Sequence, residues 1–415
     1  MFKKLLSLDE AKKRIEEAFS PKPLRTEKIP LLKAVGRVLA EDVASPINVP
    51  PFHRSTVDGY AVRAEDTFGA EEDSPAALRL MGHVNVGEMS SLTVERGSTV
   101  EIVTGAPLPT NTDAVAMVEN TTQKDGKILV YKPVARGENI MPSGSDIHKD
   151  ETVLKRGTSV SSRELGVLAA LGVMQVKVFK QPRVAIVSTG AEIVEPGKPL
   201  PPGKIYDINT TTLAAAVLES GGEPIGFGIV QDDDEELLKE TLRKVIDVAD
   251  AVITSGGVSV GPKDVVPQII DKLGKPGLVV HGVAVKPGKP VAVAIIDSKP
   301  VFSLPGNPTS SLLMFHLLVR PILFRMAGKE EKPFATVKAI VTAKLFSARG
   351  RRTFVTVTLS RDNEGRWLAS PVPTGQSGAI TTLAKANGYV ELKETQQFIE
   401  AREEVNVFLF KALED

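Results

Sequence analysis

Hydrophobic positions change their spacing several times along this chain, and each change predicts a different architecture. Ala11, Ile15 and Ala18 recur at helical intervals behind a Ser7–Glu10 capping-box pattern, so residues 8–19 read as the first helix. Residues 20–48 hold several prolines and one short helical stretch. From Val49 to about Lys155, short Val-, Ile- and Thr-rich runs alternate with Gly, Pro, Asn and Asp, the pattern of a β-rich, turn-dense unit. Ser161 with Glu164 opens a second capped helix that runs through Ala170 and stops at Gly172.

From Arg183 the rhythm changes again. VAIVS (184–188), PIGFGIV (224–230) and AVITS (251–255) read as short buried strands. Between them, NTTTLAAAVLESGG (209–222) reads as a helix capped by Asn209. DDEELLKETLRKVIDVAD (233–250) reads as an amphipathic helix with Leu238, Leu242, Val245, Ile246 and Ala249 on one face. Such alternation predicts βαβ units on a parallel sheet. A helix from Asn307 to about Met326 closes this region, and Pro321 should kink it or end it early. After Lys332, ATVKAIVTA, FVTVTL, GYVEL and VNVFLF predict a small barrel or sandwich of about 80 residues. The fold class is therefore α/β plus β and multidomain. A central α/β domain carries a parallel-rich sheet, with a β-rich domain upstream and a small C-terminal β-barrel.

Composition narrows the function classes. Lys and Arg number 51 and so do Asp and Glu, which removes any global pull toward nucleic acid or anionic membrane. The absence of cysteine excludes disulfides, thiolate zinc sites, iron–sulfur clusters and cysteine nucleophiles, and fits a cytoplasmic protein. The N-terminal stretch has no uninterrupted apolar run and does not read as a signal peptide. The apolar stretch from Ser311 is broken by His316, Arg320 and Pro321, short of the ~20 residues a membrane span needs. The five histidines, at 53, 83, 148, 281 and 316, show no metal-ligand spacing, and no G-x-S-x-G elbow occurs, which argues against zinc enzymes and hydrolase triads.

Candidate chemistry gathers at the strand ends, where open parallel sheets bind ligands. Three ends each deliver a carboxylate: Glu192 after Ser188-Thr189-Gly190, Asp232 after PIGFGIV, and Asp264 after Ser255-Gly256-Gly257-Val258-Ser259. Carboxylates converging without a balancing base suit a hard cation, most simply Mg²⁺. Asp232, its two aspartate neighbours and Asp264 equally suit helix caps. The SGGVSVG stretch offers backbone N–H groups to an anion, on a spacing that matches neither the dinucleotide fingerprint nor the P-loop. Lys286-Pro287-Gly288-Lys289-Pro290 sets two ammonium groups on a rigid corner for an oxyanion or phosphate, or forms a solvated basic turn. In Leu304-Pro305-Gly306-Asn307-Pro308-Thr309, Asn307 fits an N-cap and Pro308 a first helical position, leaving a helix end for an anion. Upstream lie the polar turn 51–60, which contains Asp58, and Thr104-Gly105-Ala106-Pro107. Asp146 suits an Asx turn or a ligand contact. Gln376-Ser377-Gly378 offers a phosphate donor or a plain turn.

Six of these segments, in the same order, resemble the molybdopterin molybdenumtransferase family, which includes the C-terminal domain of gephyrin. They are STVDGYAVR (55–63), IVTGAPLP (102–109), AIVSTGAEI (185–193), TSGGVSVGPKD (254–264), VKPGKP (285–290) and LPGNPTS (304–310). The resemblance implies a homodimer of four-domain subunits. The linker and dimerisation domain takes 27–45 and 151–181, the β-rich domain 46–150, the molybdopterin-binding α/β domain 7–26 and 182–330, and the barrel 331–415. It implies insertion of molybdenum from molybdate into adenylylated molybdopterin, with Mg²⁺ and release of AMP, to form molybdenum cofactor. Catalytic roles then fall on Asp58, Thr104, Asp146, Glu192, Asp232 and Asp264, with Glu192, Asp232 and Asp264 holding Mg²⁺. Asp233 takes the role of Asp232 after a one-residue slip. Substrate binding falls on Ser188, Thr189, Gly190, Ser255, Gly256, Gly257, Ser259, Lys286, Lys289, Pro305, Gly306, Asn307, Pro308 and Ser377. The molybdopterin adenylyltransferase is an implied partner. His53-Arg54, Ala191 and Gly282 depart from residues many members carry there. A tungstate-preferring homologue, a nucleotide hydrolase of the competence-damage type and a non-catalytic scaffold are the alternatives.

Overall fold

The computed structural model of the chain describes residues 5–230, 235–258, 265–331, 334–372 and 379–411. The chain separates into two compact units, one of Met1–Glu27, Gly36–Ala40 and Lys177–Asp415, the other of Lys28–Val35 and Glu41–Val176.

The larger unit is organised by a six-stranded sheet of β1 (Arg183–Thr189), β2 (Glu223–Val230), β3 (Ala251–Ser255), β4 (Pro276–His281), β5 (Ala292–Ile296) and β6 (Lys299–Leu304). The spatial order is β2-β1-β3-β6-β5-β4. β1 runs parallel to β2 and β3, and β3 parallel to β6, whereas β5 is antiparallel to β4 and β6. Successive residues point to opposite faces, so Val184, Ile186 and Ile253 enter one core and Ala185, Val187 and Val252 the other. Burial on both faces is why these strands read as unbroken apolar runs. The first core is covered by α1 (Leu8–Ala18), α2 (Asn209–Glu219) and α5 (Pro308–Met314) with the helical turns after it; the second by α3 (Glu235–Val248) and α4 (Val266–Lys272). In α3 the buried stripe is Leu238, Leu242, Val245 and Ile246, each worth roughly 1.5–3 kcal/mol on burial.

Two local features differ in detail from the sequence reading. Pro321 does not end the closing helix early. A π-helical turn over Phe315–Val319 precedes α6 (Arg320–Met326), and Pro321 then falls in the first turn of α6, where a missing N–H costs least. Asn209 begins α2 without capping it. Asp207 takes that role, accepting from the Thr210 N–H at 3.1 Å and hydroxyl at 2.5 Å.

The C-terminal strands close a five-stranded barrel. Arg352–Arg361 pairs with Trp367–Pro371 and Gly388–Leu392, and Thr336–Val341 joins Trp367–Pro371 to Glu404–Leu409, which returns to Gly388–Leu392. Val341, Val357, Leu392 and Val407 fill it. Arg352 ties it to α1, reaching Asp9 at 2.7 Å and Glu394 at 3.0 Å.

The smaller unit holds a six-stranded sheet whose second strand from the edge, Gly59–Val62, lies between Ala114–Met117 and Ser98–Ile102. A Cβ on Gly59 would meet the Ala116 carbonyl oxygen at 2.0 Å, so only glycine lets that neighbour pack. The helix Ser162–Ala170 begins on the Ser161–Glu164 capping box, as the spacing predicts. Among the described residues no helix is long and apolar enough to cross a membrane.

Candidate functional site

The carboxyl ends of β1, β3 and β6 lie side by side, with Ser188 paired to Ser255 and Ser255 to Leu304. Each continues into glycine: Thr189-Gly190, Gly256-Gly257 and Pro305-Gly306. Together they floor a cleft of about 510 Å³. A Cβ on Gly256 would sit 2.3 Å from the Thr189 carbonyl oxygen, and its φ of +97° is itself a glycine conformation. The loops after β3 and β6 meet backbone to backbone, the Gly256 N–H bonded to the Leu304 carbonyl, and a Cβ on Gly306 would stand 3.7 Å from the Gly256 Cα. The result is a floor of backbone and short hydroxyls in which Gly256 and Gly257 leave no room for a side chain.

Polar groups under the floor hold it in register. The Gly256 N–H donates to the Leu304 carbonyl at 3.2 Å, and the Thr189 hydroxyl to the Ser255 carbonyl at 3.4 Å. Asn209, 7% exposed, donates its amide to the Ser255 hydroxyl at 2.7 Å and the Gly306 carbonyl at 2.6 Å. Its Oδ1 is buried without a partner among the described residues. Ser188 joins the chain of bonds through the Thr210 hydroxyl at 2.8 Å.

Most of the expected substrate residues of the larger unit meet here. Ser188, Thr189, Gly190, Ser255, Gly256 and Gly257 supply two strand ends. Pro305, Gly306, Asn307 and Pro308 supply the third, with Asn307 in the extended N-cap conformation and Pro308 as the first residue of α5. Glu192 lines the same cleft, and among the described residues no donor neutralises its carboxylate. An exposed, unneutralised carboxylate oxygen is the donor type a hard dication takes. Asp232, with its alternative Asp233, and Ser259, Asp264 and Ser377 lie outside the described residues. The lysine corner borders the cleft: Lys286 is exposed in a short strand that pairs with Arg352–Thr353 of the barrel, and Pro290 at its end lines the cleft.

The sites expected in the smaller unit form a group of their own. Asp58 accepts from the Thr104 N–H at 2.7 Å and hydroxyl at 3.0 Å. Those two donors hold the Asp58 carboxyl below the usual carboxylate range. The loops are stitched by Ser55 N–H to the Ala106 carbonyl at 3.0 Å and Gly105 N–H to the Ser55 carbonyl at 2.8 Å. Asp146 is exposed; its N–H donates to the Val49 carbonyl, but its carboxylate takes no hydrogen bond from the described residues, so the Asx-turn alternative fails.

Reasoning from sequence passed over the far wall of the cleft. After Glu192 the chain leaves the sheet and returns, pairing Ile193–Val194 with Ile205–Tyr206. Ile205 and Tyr206 face the cleft while 56% and 40% exposed. The available signal was Ile-Tyr followed by the polar run Asp207–Thr212 at a helix start.

Comparison with known proteins agrees along the whole chain. Residues 6–172 match the MoeA N-terminal region (domain I and II), 185–325 the probable molybdopterin binding domain, and 338–410 the MoeA C-terminal region (domain IV). The molybdopterin molybdenumtransferase of Haemophilus influenzae is 35% identical over 99% of this chain and 100% of its own. Molybdopterin molybdenumtransferase 2 of Mycobacterium tuberculosis is 37% identical over 88% and 90%. Two Pyrococcus horikoshii structures described as molybdopterin biosynthesis MoeA protein superpose with TM-scores of 0.87 and 0.81, at 44% and 34% identity. They cover 99% and 98% of this chain, and all of their own. The chain therefore belongs to the molybdopterin molybdenumtransferase family, with molybdopterin and molybdate as the family's substrates.

Proposed function

We propose that the chain completes molybdenum cofactor by exchanging the adenylyl group of adenylylated molybdopterin for molybdenum delivered as molybdate, with release of AMP. The observation that carries this reading is the cleft at three adjacent strand ends. Its loops carry glycine where a Cβ would collide with the Thr189 carbonyl or the Val266 side chain, so that backbone lines that part of the cleft, which suits a phosphate-bearing ligand. No nucleophile is required, because the dithiolene and the oxyanion supply the reactive atoms.

Mg²⁺ would be held by Glu192 with Asp232 and Asp264; when bound, it draws charge from the phosphate oxygens of the substrate. Lys286 and Lys289 hold molybdate near that cleft, and the α5 N-terminus adds its dipole. Asp58 is kept ionised by Thr104 and orients substrate, and Asp146 lends a second carboxylate. Ser259 and Ser377 complete the anion contacts. The subunit has four domains with the boundaries given above and works as a cytoplasmic homodimer, receiving its substrate from the adenylyltransferase.

The test is incubation with adenylylated molybdopterin, Mg²⁺ and molybdate or tungstate in turn. AMP release that needs all three components is expected, with loss of release on chelation or in Asp264→Asn. AMP release from a common nucleotide without pterin would instead favour a nucleotide hydrolase. For the dimer, inactive Asp58→Ala and Asp264→Ala chains should recover roughly a quarter of wild-type activity on random remixing, if these residues act from different subunits. Recovery near zero with heterodimers formed would place both in one chain.

A further inference from the structure

The cleft has two chemically different walls. Its floor is backbone amide and hydroxyl, whereas its far wall presents Ile205 and Tyr206, two large side chains left 56% and 40% exposed. Exposed apolar area of that kind in a ligand cleft is area a ligand can cover. The wall is also firmly held. The Tyr206 hydroxyl donates to the Lys198 carbonyl at 3.1 Å, and the Ile205 N–H donates to the Glu192 carbonyl at 2.9 Å. The Asp207 N–H donates to the Val194 carbonyl at 2.8 Å, and the Lys204 ammonium reaches the Ala191 carbonyl. A ring fixed at its hydroxyl, with the residues on either side bonded through their N–H groups, loses little freedom when something stacks on it.

We infer that Tyr206, backed by Ile205, is the platform for a planar heterocycle of the substrate, while the glycine floor takes the attached phosphate. This rests on the transferase reading above and adds which residues recognise the organic part. Two rings of the substrate share that chemistry, the adenine and the pterin. The residue that follows this strand, Asp207, fixes Thr210 and through it Ser188. Platform and floor are therefore joined by one short segment.

Calorimetry with AMP, with a neopterin monophosphate and with molybdate alone tests this on the full chain. Tyr206→Ala should weaken one or both heterocycle probes by about tenfold, near 1.4 kcal/mol, and leave molybdate binding unchanged. Tyr206→Phe keeps the ring and should bind close to wild type. Loss confined to AMP puts adenine on the tyrosine, and loss confined to the pterin puts the pterin there. Undiminished binding of both probes by Tyr206→Ala would overturn the inference, as would a parallel loss of molybdate, which would mean a collapsed wall. Failure of the wild-type chain to bind any of the three probes would instead sink the transferase reading itself.

Discussion

Two cavities of nearly equal size lie in the larger unit, about 510 Å³ at the strand ends and about 490 Å³ between the α/β helices and the barrel. They are built on opposite principles. The first excludes side chains so that backbone can approach a ligand. The second is walled by rings: Phe354, Tyr389 and Phe410 face His316 across it. Tyr389 meets Phe354 edge-on at 5.4 Å and stacks on Phe408 at 5.2 Å, and His316 lies 6.3 Å from Phe410. Burial there pushes the His316 imidazole down to about 4 and the Tyr389 phenol up. Equal volume thus carries no information about role. What separates the two is the lining: glycine-rich backbone and short hydroxyls in one, aromatic rings in the other.

The sharpest break of this contrast is Gly256→Ala. The new methyl would meet the Thr189 carbonyl in a backbone conformation that already disfavours side chains. Activity should fall at least about a hundredfold, with roughly 3 kcal/mol of stability lost in urea titration. Retained turnover would show that close backbone approach is not what the cleft needs. Lys286→Ala should come next, raising the molybdate concentration for half-maximal rate about tenfold while the melting temperature barely moves, since the lysine is exposed. An unchanged molybdate dependence would return the corner to a solvated turn.

The aromatic cavity should answer to pH instead. His316 is neutral when folded down to about pH 4, whereas in the unfolded chain it takes a proton near 6.5. The unfolded state binds more protons between those values, so stability is full above pH 6.5 and is lost as pH falls toward 4. The loss should reach about 2 kcal/mol by pH 5, and His316→Leu should flatten it. An identical slope in that variant would place the titration elsewhere. The smallest effect belongs to Gly306→Ala, whose methyl would find ordinary contact at 3.7 Å from the Gly256 Cα. Its unfolding free energy should stay within about 0.5 kcal/mol of wild type.

Much of this was readable in the chain because the signals are local. Ser7 with Glu10 and Ser161 with Glu164 fix helix starts within three residues, and VAIVS and AVITS declare strands buried on both faces. The strand-end rule then brought Ser188, Glu192, Ser255 and Gly306 to one place without any knowledge of contacts. What stayed hidden depends on partners distant in sequence. Asn209 looks like a cap, yet its amide is taken by Ser255 and Gly306, the latter 97 residues away. Pro321 looks like a helix breaker, yet the π turn before it absorbs the fault. Tyr206 looked like nothing, because its exposure has meaning only beside a cleft.

The α1 helix has a consequence for how the molecule is made. It packs on the first core with β1 and β6, and its Asp9 is bonded by Arg352 at a separation of 343 residues. Between α1 and β1 the chain writes out the whole smaller unit, whose residues Glu41–Val176 are contiguous. At roughly 5–20 residues per second, α1 leaves the ribosome about 15–60 s before β6 exists to cover it. Its apolar stripe of Leu8, Ala11 and Ile15 must wait in solution for that interval. The inserted unit can close first, so the order of synthesis favours a folded bead with an unfinished helix ahead of it. Nascent-chain pulse proteolysis would see that helix protected last among the parts made first.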